Sequence, residues 1–214
     1  MRIQPFVLGP YGTACYIVYE YNGNECVIID APFPFSKALA FVASNGLEPK
    51  AVYLTHGHFD HIFGLGEIRE AYQSIPVYVG KDDLYLFENG YQNTLKLLSV
   101  FDPMFLSRYA YPALNAMPND ITAYGKEAEP FTVINTPGHT KGSISLYSER
   151  EHVIFTGDTL FHQSVGRTDL DGDAADMMQS LSILKALPDN TDVFPGHGVI
   201  TKIGTEKLSN PYMR

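Results

Sequence analysis

The chain has 214 residues, of which 45% are hydrophobic and 18% charged, a composition that supports a folded domain with a substantial core and excludes wholesale disorder. Its formal net charge is −9, which argues against binding to nucleic acid or to an anionic membrane because both need a basic surface. There is no apolar run of 18 residues and no signal-peptide pattern at the amino terminus, so we expect a cytoplasmic protein without a transmembrane helix.

The amino-terminal part is predicted to contain three strands followed by alternating helices and strands. Between the second and third strands, Asn22-Gly23 predicts a tight hairpin. In that register Cys15 and Cys26 do not face each other, so we expect two free thiols. In chain order, the predicted elements are strands over Ile3–Leu8, Tyr16–Glu20 and Cys26–Asp30, a helix over Phe35–Ser44, a strand over Ala51–Thr55, a helical pattern from His61 to Tyr72 and a strand over Pro76–Gly80.

The carboxy-terminal part begins with residues 82–125, which are rich in Tyr, Phe and Leu and show no clean periodicity. We interpret this segment as irregular helix and loop that lies over the functional site and packs most of its aromatic residues into the core. The elements predicted after it are strands over residues 131–136, 143–148 and 152–157, a helix over Asp173–Leu187 and a strand over Asp192–Phe194. No repeat or linker divides the sequence, so we predict one α/β domain spanning residues 1–214.

A dense group of potential metal ligands follows the predicted strand Ala51–Thr55. It consists of His56, His58, Asp60 and His61. A loop can present the first two to one ion and the last two to a neighbouring ion. Imidazole and carboxylate together suit zinc, iron or manganese rather than calcium or magnesium. Because burial of three imidazoles and a carboxylate without a metal is costly, the motif predicts a metal site.

Three more potential ligands follow strands later in the chain. His139, Asp158 and His197 each come after a predicted strand and a glycine-containing bend. Side chains on loops after strands are held at one rim of a rigid scaffold, which is a usual location for functional sites. A lone histidine is more often a hydrogen-bonded surface or core residue than a ligand, so His152 and His162 receive no role from their spacing.

Taken together, these motifs resemble those of the metallo-β-lactamase superfamily. The motifs are HxHxDH at residues 56–61, TPGHT around His139, GDTLF around Asp158 and PGH ending at His197. The run SVGRTDL, residues 164–170, also resembles the small bacterial glyoxalase II-like hydrolases. The resemblance implies an α/β fold of the αββα sandwich type with the metal site at one edge of the two sheets.

The resemblance also implies a role for each ligand. His56, His58 and His139 would hold one ion, Asp60, His61 and His197 a second, and Asp158 would bridge them. Two divalent metal ions are expected, with zinc as the first choice and iron or manganese as alternatives. Such a pair activates water and polarises a carbonyl group for hydrolysis. Asp60 is also the predicted catalytic residue, which orients the nucleophile or accepts a proton.

The predicted activity is hydrolysis of a small-molecule thioester or ester, of the glyoxalase II (hydroxyacylglutathione hydrolase) type. Arg167 lies where that pattern has a basic residue that contacts glutathione, and so it is the predicted substrate-binding residue. The alternative is that Arg167 pairs with Asp169 or Asp171 within its own loop. Only 17 residues follow His197, whereas glyoxalase II enzymes end in a helical domain, so segment 82–125 is expected to supply a different lid. No sequence feature indicates an oligomeric state.

Other functions fit the same residues. One is a persulfide dioxygenase with a single iron at His56, His139 and Asp158, another is a lactonase, and a third is a metal-binding scaffold without catalysis. The commonest β-lactamases of the superfamily have Arg where this chain has His61 and Cys where it has Asp158, which argues against antibiotic hydrolysis. Nucleases of the superfamily need an inserted domain or a basic face, and this acidic chain of 214 residues is expected to have neither. Flavodiiron proteins have Glu at the position of His58, so this class is excluded as well.

Overall fold

A computed structural model describes residues 1–110, 114, 117–125 and 127–214. Within it, residues group into two compact units, Met1–Val79 with Leu84–Ala123 and Gly80–Asp83 with Tyr124–Arg214, called here the first and second units. Each unit is built around one six-stranded sheet. The single-domain organisation stays a prediction.

The first unit contains a mixed sheet with its strands in sequence order. Its first three strands are antiparallel and the remaining three continue in parallel. The strands are β1 Arg2–Leu8, β2 Thr13–Tyr19, β3 Glu25–Ile29, β4 Glu48–Tyr53, β5 Val77–Val79 and β6 Thr122–Ala123. Tyr19 lies opposite Cys26, which confirms the predicted hairpin register, and both cysteines are buried free thiols. Strand β2 begins earlier than predicted because Thr13 already pairs with Leu8 of β1.

Short helices make up most of the rest of the first unit. They are α1 Ser36–Ser44, α2 Phe59–Ile62, α3 Leu65–Ala71, α4 Glu88–Phe101 and α5 Pro103–Phe105, with a π-type turn at Leu106–Ala110. The 3-10 helix Lys81–Phe87 contributes its residues from Leu84 onwards to this unit. The helical pattern predicted from His61 to Tyr72 is therefore confirmed for most of its residues, but these are divided between α2 and α3. It is broken near Gly64, where a Cβ atom would lie only 2.5 Å from the Pro32 carbonyl oxygen, so the chain needs glycine for this close approach.

The described part of segment 82–125 is irregular helix, as its sequence predicts. It contains the 14-residue helix α4, although the backbone is left-handed at Asn89, Gly90 and Tyr91. The expected packing of its large side chains is confirmed for Tyr91 and Phe105, among others, which are buried in the core of the first unit. Its placement over a functional site stays a prediction, and residues 111–113 and 115–116 lie outside the described residues.

The second unit contains a six-stranded sheet in the order β14-β13-β10-β9-β8-β7, with a separate two-stranded hairpin of β11 and β12. The strands are β7 Glu127–Ala128, β8 Phe131–Asn135, β9 Ile144–Ser148, β10 Val153–Gly157, β11 Leu160–Phe161, β12 Ser164–Val165, β13 Asp192–Pro195 and β14 Thr201–Lys202. Strands β10 and β13 are parallel, and β8 runs the same way as β10 because both are antiparallel to β9. The carboxyl ends of β8, β10 and β13 therefore point to the same edge of this sheet.

Two helices pack in the second unit, α6 Ala174–Lys185 and α7 Ile203–Ser209. The predicted helix start at Asp173 is confirmed as a cap, since its carboxylate accepts hydrogen bonds from the backbone N–H groups of Ala175 and Asp176. Met177 and Leu184 are buried in the core of the unit, as the apolar periodicity predicts. Helix α7 was not predicted. None of the helices in the described residues is long and apolar enough to cross a membrane.

Candidate functional site

The first unit carries the ligand-rich motif where β4 gives way to α2. His56 and His58 lie in the connecting loop, as predicted, whereas Asp60 and His61 lie in the first turn of α2 rather than in the loop. The ring centroids of His56 and His61 are 4.1 Å apart, and those of His56 and His58 are 5.0 Å apart. All three imidazoles are buried. The local fold therefore gathers all four side chains at the start of one helix.

The distance between Asp60 and His61 suits a shared metal ion. Asp60 Oδ2 lies 3.6 Å from His61 Nε2, which is too long for a hydrogen bond. Two ligand atoms at about 2.1 Å from a tetrahedral zinc ion are separated by about 3.4 Å, close to that distance. The same oxygen accepts a 2.8 Å hydrogen bond from Thr13 Oγ1, which fixes the orientation of the carboxylate.

Asp30 orients this motif from the end of β3. Its Oδ1 accepts from the Thr55 backbone N–H, and its Oδ2 accepts from both Thr55 Oγ1 and His61 Nδ1, each at 2.8 Å. Because a buried carboxylate only accepts, His61 carries its proton on Nδ1, and its Nε2 is left as the basic nitrogen that binds metals. Sequence reasoning missed Asp30, although an acid that closes the apolar run CVII was a usable signal.

Thr55 fixes the tautomer of His56 in a similar way. The single hydroxyl proton of Thr55 is donated to Asp30, so Thr55 Oγ1 accepts from His56 Nδ1 at 3.1 Å. His56 Nε2 is then also the basic nitrogen. One buried carboxylate thus sets the tautomers of two predicted ligands.

The second unit brings its three predicted ligands together at the common edge of β8, β10 and β13. Asp158 Oδ2 lies 3.5 Å from His139 Nε2 and 3.4 Å from His197 Nε2. Both separations match two ligands of one metal ion better than a hydrogen bond. The Asp158 side chain is 10% exposed and that of His197 26% exposed, so small molecules can reach this cluster. The donor set therefore fits a divalent metal in this unit as well.

The chain after Asp158 holds His139 in place. His139 Nδ1 donates to the Arg167 backbone carbonyl oxygen at 2.7 Å, which again leaves Nε2 as the basic nitrogen. Gly166 allows this approach, because a Cβ atom there would lie 1.8 Å from the Asp158 carbonyl oxygen and 3.2 Å from His139 Nδ1. The SVGRTDL run, noted in the sequence for Arg167, thus supports a ligand through its backbone.

Asp83 holds the turn that follows His139. Its buried carboxylate accepts from Thr140 Oγ1 at 2.8 Å and from the Gly142 backbone N–H at 2.7 Å. Ser143 Oγ accepts from the Thr140 backbone N–H at 3.0 Å. No local pattern in the sequence indicates this contact, because Asp83 lies more than 50 residues before the turn.

The sequence profile of the metallo-beta-lactamase superfamily matches residues 8–197. The chain belongs to this superfamily. Among curated relatives, it is similar to the probable metallo-hydrolase YqgX of Bacillus subtilis, with 31% identity over 100% of this chain and 98% of the relative. It is also similar to the hydroxyacylglutathione hydrolase GloC of Haemophilus influenzae, with 29% identity over 100% of this chain and 98% of the relative.

Solved structures of superfamily proteins share the fold over almost the whole chain. The protein TTHA1623, crystallised in a di-iron-bound form, matches with a TM-score of 0.82 and 32% identity over 98% of this chain and 99% of its own. The BLEG-1 B3 metallo-beta-lactamase matches with a TM-score of 0.81 and 32% identity over 99% of both chains. ETHE1 from Myxococcus xanthus matches with a TM-score of 0.73 and 28% identity over 99% of this chain and 84% of its own. The predicted α/β, metallo-β-lactamase-like fold class is therefore confirmed.

Membership of the superfamily supports a metal-dependent enzyme but does not by itself separate its activities. A structure of similar fold and 32% identity is described as a β-lactamase. The argument against antibiotic hydrolysis thus rests on the residues at positions 61 and 158 and stays a prediction.

Arg167 takes the alternative arrangement that the sequence left open. Its Nε and Nη2 donate to Asp169 Oδ1 and Oδ2 at 2.6 and 2.7 Å, a two-point ion pair on an exposed surface. The hydrogen bonds from Arg167 lower the pKa of Asp169 to about 2. The pairing within the loop is confirmed for Asp169, and a role of Arg167 in substrate binding stays a prediction.

His162 and Phe161 form the hairpin next to the second-unit ligands. The Phe161 ring meets the His197 ring edge-on at 6.0 Å between centroids. His162 Nδ1 lies 3.1 Å from Oε1 of the buried Glu206. His162 is thus bound to a structural carboxylate of α7, which agrees with giving it no role from its spacing.

Proposed function

We propose that the chain is a binuclear metal-dependent thioesterase of the glyoxalase II type. The observation that carries the proposal is the preparation of the ligands within each unit. His56, His61 and His139 each direct Nδ1 to a protein oxygen, which leaves Nε2 for a metal. In the first unit, an Asp60 oxygen lies 3.6 Å from His61 Nε2. In the second unit, an Asp158 oxygen lies 3.5 Å from His139 Nε2 and 3.4 Å from His197 Nε2.

The proposed ligand sets are those that the superfamily motifs imply. His56, His58 and His139 would hold one ion, Asp60, His61 and His197 would hold the other, and Asp158 would contribute to both. Superfamily membership supports this assignment, and so does the burial of four of the five histidines. Zinc is the proposed metal, while a relative crystallised with two irons supports iron as the alternative.

When bound, two divalent ions supply an activated water and polarise the carbonyl of the substrate. Residues of the chain then position the attacking water and the metal ligands. Asp60, fixed by the hydrogen bond from Thr13, is placed to accept a proton from the attacking water. Asp30 keeps His61 in one tautomer and one orientation through Nδ1. Imidazole ligands held in this way need no reorganisation during turnover.

The choice of a thioester as substrate rests on two supports. The Haemophilus relative is named a hydroxyacylglutathione hydrolase, and it matches this chain over its full length. Arg167 presents an exposed guanidinium in the loop that also holds His139, and its planar donors match a substrate carboxylate. We therefore propose that Arg167 contacts an anionic group of the substrate. A lactone is the alternative substrate for the same hydrolytic chemistry.

A single-iron dioxygenase is the second candidate; the di-iron-bound form of the related structure supports iron as the metal but not a single ion. Such an enzyme consumes oxygen, whereas a thioesterase does not. The two candidates therefore differ in their need for oxygen, which can be excluded from the assay.

The test is anaerobic hydrolysis of S-lactoylglutathione by the full-length, metal-loaded protein, followed by the loss of thioester absorbance. We expect turnover that is abolished by a chelator and restored by zinc. Asp158→Ala should lose both bound metal and turnover. The matched control is Asp189→Asn, which removes an exposed carboxylate that pairs with Lys207. Protein that holds two metal ions but hydrolyses no thioester would contradict the proposal.

A further inference from the structure

Asp169 already occupies the guanidinium fork that a substrate carboxylate would use. The pair has two hydrogen bonds, at 2.6 and 2.7 Å, one to each carboxylate oxygen, and arginine commonly binds carboxylates in this two-point way. The two side chains are 44% and 67% exposed, so solvent and small molecules reach both partners. A substrate carboxylate therefore has to displace Asp169 to bind Arg167 in the same way.

The backbone fixes this pair beside the candidate metal ligands. The Arg167 carbonyl oxygen accepts from His139 Nδ1, so the residue that carries the fork is in direct contact with a proposed ligand. Gly166 in turn packs against the Asp158 backbone. The pair thus lies next to the second-unit cluster rather than elsewhere on the acidic surface.

We propose that Asp169 is a specificity-determining residue, an internal competitor that lowers the affinity of the site for carboxylate-bearing substrates by occupying Arg167. The inference rests on the proposed function and identifies the side chain that limits its preference for anionic thioesters. Uncharged substrates do not compete for the fork, so Asp169 does not affect their binding.

The expected size of the effect is modest. Exposed ion pairs contribute little free energy because water and salt screen them. The contribution of one such pair corresponds to about a twofold to fivefold change in an equilibrium constant. Asp169 lies two residues from Arg167, so it competes at a high local concentration despite this weak attraction. A substrate anion must displace Asp169 to bind Arg167. Its apparent affinity is therefore lower by that factor, but binding is not prevented.

The experiment measures binding directly with a probe that cannot be hydrolysed. S-methylglutathione, a thioether with two carboxylates, is titrated calorimetrically into the metal-loaded full-length protein, and its diethyl ester serves as the probe without carboxylates. We expect Asp169→Asn to tighten binding of the anionic probe about twofold to fivefold and to leave the ester unchanged. Asp189→Asn, which also removes one exposed paired carboxylate, is expected to change neither value.

A double-mutant cycle separates competition for Arg167 from a general change in charge. In an Arg167→Ala background, Asp169→Asn should have no effect on the anionic probe. The proposal is wrong if Asp169→Asn leaves binding unchanged, or if it tightens binding equally with and without Arg167.

Kinetics provide an independent readout. With S-lactoylglutathione, Asp169→Asn should lower KM by the same factor as the binding constant, while kcat is preserved. A fall in kcat together with loss of metal would instead show that Asp169 only supports the loop that holds His139, and the proposal would fail. If no thioester is hydrolysed at all, the proposed function fails, and the binding cycle still decides the role of Asp169.

Discussion

His56, His61 and His139 donate through Nδ1 to Thr55 Oγ1, Asp30 Oδ2 and the Arg167 carbonyl oxygen, respectively. These contacts decide which ring nitrogen is basic, and so they determine what each ligand can bind. The histidines themselves could be predicted from the motif HxHxDH and from the strand end before His139. Their partners could not, because Asp30 and the Arg167 carbonyl meet them only through the tertiary fold.

Asp30→Asn tests whether the Asp30 carboxylate sets the tautomer of His61. Asp30 has a φ of 59°, a left-handed conformation that Asn tolerates well, so the variant should fold. The Thr55 backbone N–H needs the remaining oxygen, which directs the new amide N–H₂ towards His61 Nδ1. His61 then moves its proton to Nε2 and is lost as a ligand. We expect the affinity for one of the two metal ions to fall about 10- to 100-fold.

The measurement is metal content and zinc affinity, by competition with a coloured chelator, on protein whose circular dichroism matches that of the wild type. Asp192→Asn, which removes a partly exposed carboxylate that pairs with Lys202, is the control. Two ions bound with unchanged affinity in Asp30→Asn would show that Asp30 does not position His61.

Among the elements, the stretch from the end of β10 to the start of α6 supports the second-unit ligands through close backbone contacts. Gly166→Ala places a Cβ atom 1.8 Å from the Asp158 carbonyl oxygen, so the backbone must move. Overpacking of this kind costs about 1–3 kcal/mol in unfolding free energy. We also expect weaker metal binding, because the Arg167 carbonyl moves away from His139. Denaturant unfolding of the metal-free protein measures the first effect.

Gly125→Ala is the matched control for that substitution. A Cβ atom at Gly125 has no heavy atom within 4 Å, so the change in stability should stay within about 0.5 kcal/mol. Equal losses in the two variants would mean that the close approach at Gly166 is not what the fold requires.

Helix α7 is held by Glu206, which also links it to the β11–β12 hairpin. Burial raises the pKa of Glu206, but hydrogen bonds from Thr201, Gln163 and other neighbours outweigh it, and the pKa lies below its ordinary value. A lowered pKa means that the carboxylate stabilises the fold above its unfolded-state pKa and that this contribution is lost as the pH falls through the folded-state pKa.

Glu206→Gln should therefore lower the unfolding free energy at neutral pH by about 2–4 kcal/mol, since several hydrogen bonds to a buried charge are weakened. The difference from the wild type should shrink below about pH 4. Chemical unfolding at pH 7 and at about pH 3, which lies below the ordinary pKa of a glutamate, checks this. A difference that is independent of pH would show that the charge of Glu206 is not what holds α7.

For the whole molecule, the sequence predicts most strands and all seven candidate ligands, because these depend on local patterns: apolar runs, turn pairs such as Asn22-Gly23 and glycine bends at strand ends. Features that depend on contacts between distant segments were missed. They include the break at Gly64, the Asp83 contact with the turn after His139, and helix α7. The family resemblance extended the prediction to the fold class, which the comparisons confirm.

The central claim is that two bound metal ions catalyse hydrolysis without oxygen. The most direct test is to titrate metal-free protein with zinc under anaerobic conditions and to measure S-lactoylglutathione hydrolysis at each addition. We predict that activity rises until two equivalents are bound and that oxygen has no effect. Full activity at one equivalent of iron, with oxygen consumed in proportion to product, would contradict the binuclear thioesterase and favour the dioxygenase.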